Sequence, residues 1–279
     1  MRIIKEFLWK LPHKLAHSII YFHKTKRCMN WKNPITYDEK LHWLMVHVLT
    51  SEYGRYADKF EVRKYVADRG FSDMLIPLYG VWESVEDIEF GKLPYPNIMK
   101  LNNGSGPSGY QIMHTGDVDE QEAVKKKLSA AMQINFAKKH CEYHYAGIKP
   151  KILCEKLLDE PVTDYKFVCS RGKCDAILVC YKRNQGRDYY TPEWVHTEYT
   201  KKEYQSGIIL EKPKCLSQMI TAAEKLSEPF VSARIDFYEV DGHAWFGEVT
   251  LSPSYGYHAN LTDEGQLALG GFIDLKTVQ

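Results

Sequence analysis

Residues 232–251 read SARIDFYEVDGHAWFGEVTL, two runs of alternating β-forming residues joined by Asp241-Gly242. An Asp-Gly pair between such runs provides the two left-handed positions of a tight turn, so 232–240 and 243–251 are expected to form a β-hairpin. With a side-chain period of two, Arg234, Asp236 and Tyr238 share one face of the first strand, and Gly247, Glu248 and Val249 end the second. If the hairpin pairs about the turn, its two strands can bring Asp236 and Glu248 to neighbouring sites. Two carboxylates so close repel unless positive charge lies between them. A hard divalent cation shared with phosphate oxygens would supply that charge, and so would an ion pair with Arg234 at a sheet edge. The residues alone leave both open.

Upstream, Asn97 to Leu101 is a short extended candidate followed at once by NNGSGPSGY, residues 102–110. Three glycines, two serines and a proline in nine positions exclude helix interior and sheet centre. Backbone N–H groups of such a loop can wrap phosphate oxygens, and Lys100 just before it offers a point charge to the same phosphates. A Gly/Ser run is more often simply a loop. The segment is neither a Walker loop, since no Gly-Lys-Ser/Thr closes it, nor the dinucleotide fingerprint.

Between these two regions, Lys151 to Leu158 reads as a buried strand, and DYKFVCS and KCDAILVCY on either side of Arg171-Gly172 read as a hairpin. Residues 119–141 and Ser217 to Leu226 carry helical periodicity. Nearer the N-terminus, Thr36 stands three residues before Glu39 at the head of an apolar stripe, the signature of a capping box. A second helix is expected over Ala57 to Arg69, then a short strand over Leu75 to Val81. Residues 1–28 hold Arg2, Lys5, Lys10, Lys14, Lys24, Lys26 and Arg27 among many apolar residues, with Glu6 their one acidic residue and Pro12 a natural break. Such a basic amphipathic segment either packs its apolar stripe on the body of the protein, the commoner outcome, or lies on an anionic membrane surface.

Composition sets the outer bounds. The 279 residues, 44% hydrophobic and 26% charged, describe a folded chain rather than a disordered one. Thirty-seven basic against thirty-six acidic residues give a formal charge of +1, which removes the general electrostatic argument for a nucleic-acid partner. The seven cysteines (28, 141, 154, 169, 174, 180 and 215) are odd in number, lie partly in apolar runs and lack zinc-site spacing, so they are expected to be reduced core residues of a cytosolic protein. No apolar stretch is long enough to span a membrane.

Several blocks together resemble the ATP-grasp superfamily, specifically its TupA-like branch: NPITYDEKLHWL, YADKFEVRKYV and LIPLYGVWESVEDIEFGKLP, then NNGSG after an extended Lys, CEKLLDE, DYKFVCSRGK and RIDFYEVDGHAWFGEVTLSP. The resemblance runs over roughly residues 30–260. It implies an α+β ATP-grasp fold in which two α+β subdomains hold the nucleotide, preceded by a mostly helical N-terminal region. The divisions expected are 1–30, 31–96, a small subdomain 97–154 with the glycine-rich flap, and a C-terminal subdomain 155–279 with the metal-binding strands.

The same resemblance implies an ATP-dependent carboxylate–amine ligase using ATP and Mg2+, with a carboxylate substrate such as a uronic acid and an amine or amino acid as co-substrate. A setting in bacterial surface polysaccharide biosynthesis, on the cytoplasmic side and in reach of the inner face of the membrane, goes with that branch. Lys100 would contact the phosphates beneath a loop formed by Asn103, Gly104, Ser105, Gly106, Ser108 and Gly109. Glu155, Lys156 and Leu158 would border adenine, with Glu155 or a backbone carbonyl accepting from its exocyclic amine. Lys166 is a phosphate or substrate candidate, Asp236 and Glu248 match the magnesium ligands, and Arg234 would steady the transferring phosphoryl group. The chain departs from the pattern at Thr250, where the superfamily places Asn, and at Asn103, which replaces a His.

Other assignments concern location. Of the histidines at 114, 144, 196, 243 and 258, His258 lies nearest the carboxylate strand and is the best placed for a general base. Tyr255 and Tyr257 would line an acceptor pocket, and Arg183, Asn184 and Arg187 would meet a carboxylate. A kinase acting on a glycan or small-molecule hydroxyl, and a catalytically inactive nucleotide-binding module, are the alternative functions.

Overall fold

The computed structural model describes residues 2–104, 106–158, 162–182 and 185–278. Helices α1 (Arg2–Lys10), α2 (His13–Thr25), α3 (Tyr37–His47), α4 (Gly54–Ala57), α5 (Val62–Asp68), α6 (Val118–Met132), α7 (Phe136–His140), α8 (Leu216–Ser227) and α9 (Asp263–Phe272) accompany two sheets. Strands β1 (Leu78–Trp82), β2 (Asn97–Leu101), β3 (Tyr110–Met113) and β4 (Ile152–Lys156) form one, in the order β1-β4-β2-β3. Strands β5 (Asp164–Ser170), β6 (Lys173–Tyr181), β7 (Gly186–Tyr190), β8 (His196–Thr197), β9 (Ala233–Val240) and β10 (His243–Thr250) form the other, in the order β10-β9-β5-β6-β7-β8. All pairings are antiparallel.

The chain divides into a larger unit, 1–50 with 160–279, and a smaller one, 51–159. These boundaries differ from those expected, because the N-terminal helices do not form a body of their own. Tyr37, Leu41 and Leu44 of α3 enter the core of the larger unit, whereas Val85, Ile88 and Phe90 enter that of the smaller.

Local chemistry accounts for most element ends. Thr36 and Glu39 form the expected capping box, with Glu39 N–H donating to Thr36 Oγ1 at 3.2 Å and Thr36 N–H to Glu39 Oε2 at 3.1 Å. Both tight hairpin turns have two left-handed residues, Arg171 and Gly172 at φ 48° and 82°, and Asp241 and Gly242 at φ 54° and 71°. The single helix expected over 57–69 is broken, since Asp58 leaves the helix and its Oδ1 accepts from the N–H groups of Phe60 and Glu61. The helix expected over 119–141 is likewise two, α6 and α7, with Asn135 capping the second by accepting from Lys138 N–H.

In the smaller unit, Met99, Leu101, Met113, Ile152 and Cys154 line the sheet face that packs on Val124 and Leu128 of α6. In the larger, Val168, Ala176, Leu178, Cys180 and Tyr189 line a face covered by α3 and by Leu269 of α9. Its opposite face presents Phe167, Ile177, Ile235 and Phe237, all buried, and α8 runs along β5, β6 and β9. The cysteines are free thiols, six of the seven buried, as their apolar settings predict. Among the described residues no helix is long and apolar enough to cross a membrane.

Candidate functional site

Cross-strand register assembles the first cluster, in the larger unit. A plain hairpin about Asp241-Gly242 would set Asp236 opposite Gly247 and send Glu248 to the other face of the sheet. The ladder instead shifts between Phe246 and Glu248, leaving Gly247 as the extra residue of a bulge, so that Glu248 faces Asp236 and Thr250 faces Arg234. Glycine suits the position: a Cβ there would stand 3.1 Å from the Asp236 carbonyl oxygen and 3.2 Å from the Tyr238 ring. Lys166 is opposite Asp236 on β5, so Glu248, Asp236 and Lys166 form one row across three strands. The row continues into Leu178 and Tyr189, where α3 and α9 cover the sheet. The charged cluster therefore occupies the same sheet face as the apolar packing, beside it.

Within the cluster Arg234 grips Asp236 bidentately, Nε to Oδ1 at 2.7 Å and Nη2 to Oδ2 at 2.8 Å. Its Nη2 also donates to Glu248 Oε1 at 3.3 Å and to Thr250 Oγ1 at 3.2 Å, while Thr250 Oγ1 donates to Glu248 at 2.9 Å. Lys166 Nζ lies 2.7 Å from Asp236 Oδ2 and 3.3 Å from Asp164 Oδ2. Both the carboxylate pairing and the Arg234 ion pair are thus present. Burial, the largest single influence, lowers the pKa of Lys166, but Asp236 and the other neighbouring groups, Asp164 among them, together outweigh burial and the opposing Arg234 and hold it above the ordinary lysine value. Arg234 is raised in the same way, against its own burial, chiefly by Asp236. Both side chains are thus favoured as cations beside Asp236, a state suited to binding an anion rather than to taking up a proton. Burial pushes the Asp164 carboxyl up, against the downward pull of Lys166.

A second cluster stands in the smaller unit. The alternation of β2 turns Lys100 away from the α6 core, onto the sheet face shared with Glu155 of β4. Lys100 Nζ is 2.5 Å from Glu155 Oε2, and Arg63 Nη1 of α5 is 3.1 Å from Oε1. The carboxylate offered by the resemblance to an adenine amine is therefore closed on two cations, and it fixes Lys100 in place. Lys156 next to it is exposed and Leu158 half-buried, while the Lys156 N–H is tied to the Pro77 carbonyl.

The glycine-rich segment following β2 is anchored at its base. Asn102, fully buried, donates to Asp58 Oδ2 at 2.7 Å and to the Lys149 carbonyl at 3.0 Å, and its Oδ1 accepts from Lys151 N–H at 2.8 Å. Gly104 and Gly109 approach so closely that a Cβ on either would meet the other's Cα at 3.1 Å. Lys59 Nζ donates to the Gly104 carbonyl at 3.0 Å. Gly106 and Ser108 are exposed beyond this neck, and the Oδ1 of buried Asn103 has no hydrogen-bond partner among the described residues. Ser105, like Arg183 and Asn184, lies outside the described residues. Arg187 faces Cys180 on β7, in the row that also holds Asp164 and Tyr238.

The loop after β10 reaches a further buried group. His258 Nδ1 is 2.7 Å from Asp38 Oδ1, Gln266 Nε2 donates to Asp38 Oδ2 at 2.8 Å, and the His258 N–H donates to the same oxygen. Ser254, Tyr255 and Gly256 are consecutive left-handed residues, and Gly256 leaves room for His42 and Met45 of α3. Sequence reading missed Lys59, Arg63 and Asp38, whose partners Gly104, Glu155 and His258 are 45, 92 and 220 residues away along the chain, and it missed Asp164 although Lys166 is only two residues further along β5. YADKFEVRKYV, matched as a block, contained the first two without a role.

The donors suit a hard cation. Asp236 is 3% exposed at its side chain and Glu248 32%, so Glu248 presents a carboxylate outward while Asp236 backs it. Thr250 adds only a hydroxyl. No group of three or more His, Cys, Asp or Glu among the described residues is gathered tightly enough to hold a metal alone. A site of one or two carboxylates whose remaining ligands are water and phosphate oxygens is the usual arrangement for magnesium. In the Glu155 cluster two cations, Lys100 and Arg63, meet one carboxylate, which suits an anion.

Comparison with solved structures finds D-alanine–D-alanine ligase from Bacillus anthracis, 18% identical over 79% of this chain and 66% of that one, with a TM-score of 0.47. An L-amino acid ligase from Bacillus licheniformis is 20% identical over 74% of this chain and 45% of that one, at 0.46. A RimK domain ATP-grasp protein from Sphaerobacter thermophilus is 13% identical over 80% and 69%, at 0.45. The chain thus spans from under half to about two thirds of the length of the first two. No curated protein sequence matches it. The TupA-like ATP-grasp profile matches residues 39–274, nearly the whole chain and both clusters, and the protein belongs to that family.

Proposed function

We propose that the protein is an ATP-dependent ligase that joins a carboxylate to an amine through an acyl phosphate. The observation that carries this reading is the row Glu248, Asp236 and Lys166 with Arg234 across it, on a chain of the TupA-like ATP-grasp family. Acyl activation places negative charge on the transferring phosphoryl oxygens, and preorganised cations in a water-poor setting are the usual means of stabilising it. Lys166 and Arg234 are such cations, held in place by Asp236. In the smaller unit Lys100, fixed by Glu155, is the cation offered to a phosphate, and Gly106 and Ser108 are the exposed part of the loop that follows it. Magnesium, held by Glu248 and Asp236, would draw charge from the phosphate oxygens.

In the first step a substrate carboxylate oxygen bonds to the γ-phosphorus and the bond to the β-phosphate oxygen breaks, releasing ADP. In the second the amine nitrogen bonds to the acyl carbon, the carbon–oxygen bond to phosphate breaks, and the amine gives up a proton. The substrate reading is a uronic acid or similar carboxylate of a bacterial surface polysaccharide precursor, with an amino acid or small amine as its partner, on the cytoplasmic side where ATP is available. It rests on the family alone.

The test is to incubate the protein with Mg-ATP and uronic acids crossed with amino acids and small amines, following ADP, AMP, phosphate and coupled product by mass spectrometry. ADP and phosphate formed only with a matched pair, with a product one water lighter than the pair, is the expected result. AMP formation would overturn the acyl-phosphate route. A stable phosphorylated product made without any amine would make the protein a kinase.

A further inference from the structure

We infer that α2 docks the larger unit onto an anionic lipid surface. The inference is independent of the ligase reading and rests on how the basic N-terminal segment is folded. Pro12 ends α1 and starts α2, at φ −51° and ψ 134°. The inner side of α2 is fixed to the protein: Ala16, His17 and Tyr21 are buried, and His17 Nδ1 lies 2.8 Å from His42 Nδ1 of α3. The Tyr21 ring stands edge-on to His42 at 5.4 Å. Trp31 adds a tie by donating from Nε1 to Ser18 Oγ at 2.9 Å.

Packing has thus used one side of the helix and left a second apolar stripe outside. Leu15, Ile19 and Phe22 are 48%, 40% and 51% exposed. At about 100° per residue these three fall within an arc of about 60°, on the side away from His17. Phe7 of α1 is 61% exposed as well. α2 therefore packs on the protein through Ala16, His17 and Tyr21, whereas Phe7, Leu15, Ile19 and Phe22 of the apolar stripe expected to pack there are exposed. A helix already anchored by its other side does not need these residues for its own core.

Charge identifies the occupant. Lys10 and Lys14 are exposed near the stripe and Lys26 and Arg27 are exposed just beyond the end of α2, with Arg27 3.8 Å from Asp263, while Lys24 lies on the opposite side over the Tyr257 ring; Glu6 is the one acidic residue of α1 and α2. Lys14 lies over the Trp31 ring at 5.5 Å, which holds its ammonium beside the stripe. Apolar side chains that enter the acyl boundary and lysines that meet lipid phosphates are two reinforcing signals, where either alone binds marginally. A partner surface both apolar and negatively charged matches both, and an anionic bilayer is such a surface.

The experiment is sedimentation of the full chain with vesicles of phosphatidylglycerol and phosphatidylcholine in equal parts, without ATP or substrates. Its outcome therefore does not depend on whether the ligase reaction exists. Binding is expected at about 0.1 M NaCl and should fall at least about tenfold on vesicles of phosphatidylcholine alone or at about 0.5 M NaCl. A variant carrying Leu15→Glu, Ile19→Glu and Phe22→Glu should lose binding by a similar factor with an unchanged thermal midpoint, since all three side chains are exposed. Lys10→Gln with Lys14→Gln should weaken binding while keeping the apolar stripe. Binding that survives the triple substitution, absence of binding to the anionic vesicles, or a dimer in analytical ultracentrifugation that the triple substitution dissociates would each overturn the inference.

Discussion

The two sheets each carry a buried carboxylate gripped by two cations, yet they differ in what is left over. In the smaller unit Glu155 meets Lys100 and Arg63, so formal positive charge is in excess. In the larger unit Lys166 and Arg234 meet Asp164, Asp236 and Glu248, so negative charge is in excess. The first cluster is arranged to receive an anion and the second a cation bringing phosphate oxygens with it. A buried ion pair is a poor source of stability in itself, since desolvation offsets most of the attraction. Its value here is position, because each carboxylate holds a cation that a flexible side chain would otherwise spread over many rotamers.

That contrast is open to direct attack. The largest effect is expected from Glu248→Gln and Asp236→Asn, each lowering the rate of substrate-dependent ADP release about a hundredfold or more, about 3 kcal/mol of transition-state stabilisation. The two should separate in urea unfolding. Glu248→Gln changes a partly exposed group and leaves stability within about 1 kcal/mol, whereas Asp236→Asn takes from Lys166 and Arg234 the carboxylate they share, leaving only the longer contacts to Asp164 and Glu248, and costs about 3 kcal/mol. Full turnover in both variants would remove the metal assignment.

Glu155→Gln tests the other cluster. It leaves Lys100 and Arg63 buried without their carboxylate, and a loss of about 3 kcal/mol in urea unfolding is expected. Unchanged stability would mean that the two cations find water instead.

Acid should act on both units by one route. Burial lowers His42 of the larger unit to about 4 and His144 of the smaller to about 3. Between those values and the ordinary 6.5 the unfolded chain binds protons that the folded one refuses, so stability is full above pH 6.5 and falls as pH drops towards 4. Hydrogen exchange resolved by peptide would read the units separately, and His144→Asn should flatten the slope in 51–159 while leaving that of the larger unit intact. A slope insensitive to both His42→Asn and His144→Asn would assign the acid response to other groups. The smallest effect belongs to Thr250→Val, which removes one hydroxyl between Arg234 and Glu248 and should cost about 1 kcal/mol in unfolding, with a correspondingly small fall in turnover.

Much of the architecture was legible in the residues. Asp241-Gly242 and Arg171-Gly172 each announce a hairpin because few residues adopt two successive left-handed positions, and Thr36 with Glu39 announces a helix start because unsatisfied N–H groups need acceptors. Strand β2 has the bounds its pattern indicates, Asn97 to Leu101. Such signals are local, and the atoms that satisfy them lie within a few residues. Asp58 and Asn135 show where this reading stops, since a side chain capable of capping also permits a helix to continue until its partners are known.

By itself the sequence determined which chemical groups were available: the lysine before a glycine-rich segment, the carboxylates of a terminal hairpin, and an arginine on the same strand face. It could not determine which face Glu248 occupies. Alternation counted from the turn directs Glu248 away from Asp236, and only the bulge at Gly247, where a side chain would crowd the Asp236 carbonyl, turns it back. Nor could it pair Glu155 with Arg63, or Asp38 with His258, because those contacts join segments 92 and 220 residues apart. Hydrogen-bonding capacity is written into each residue, whereas register and long-range partners are settled by the collective packing of sheets and helices. The site is decided there.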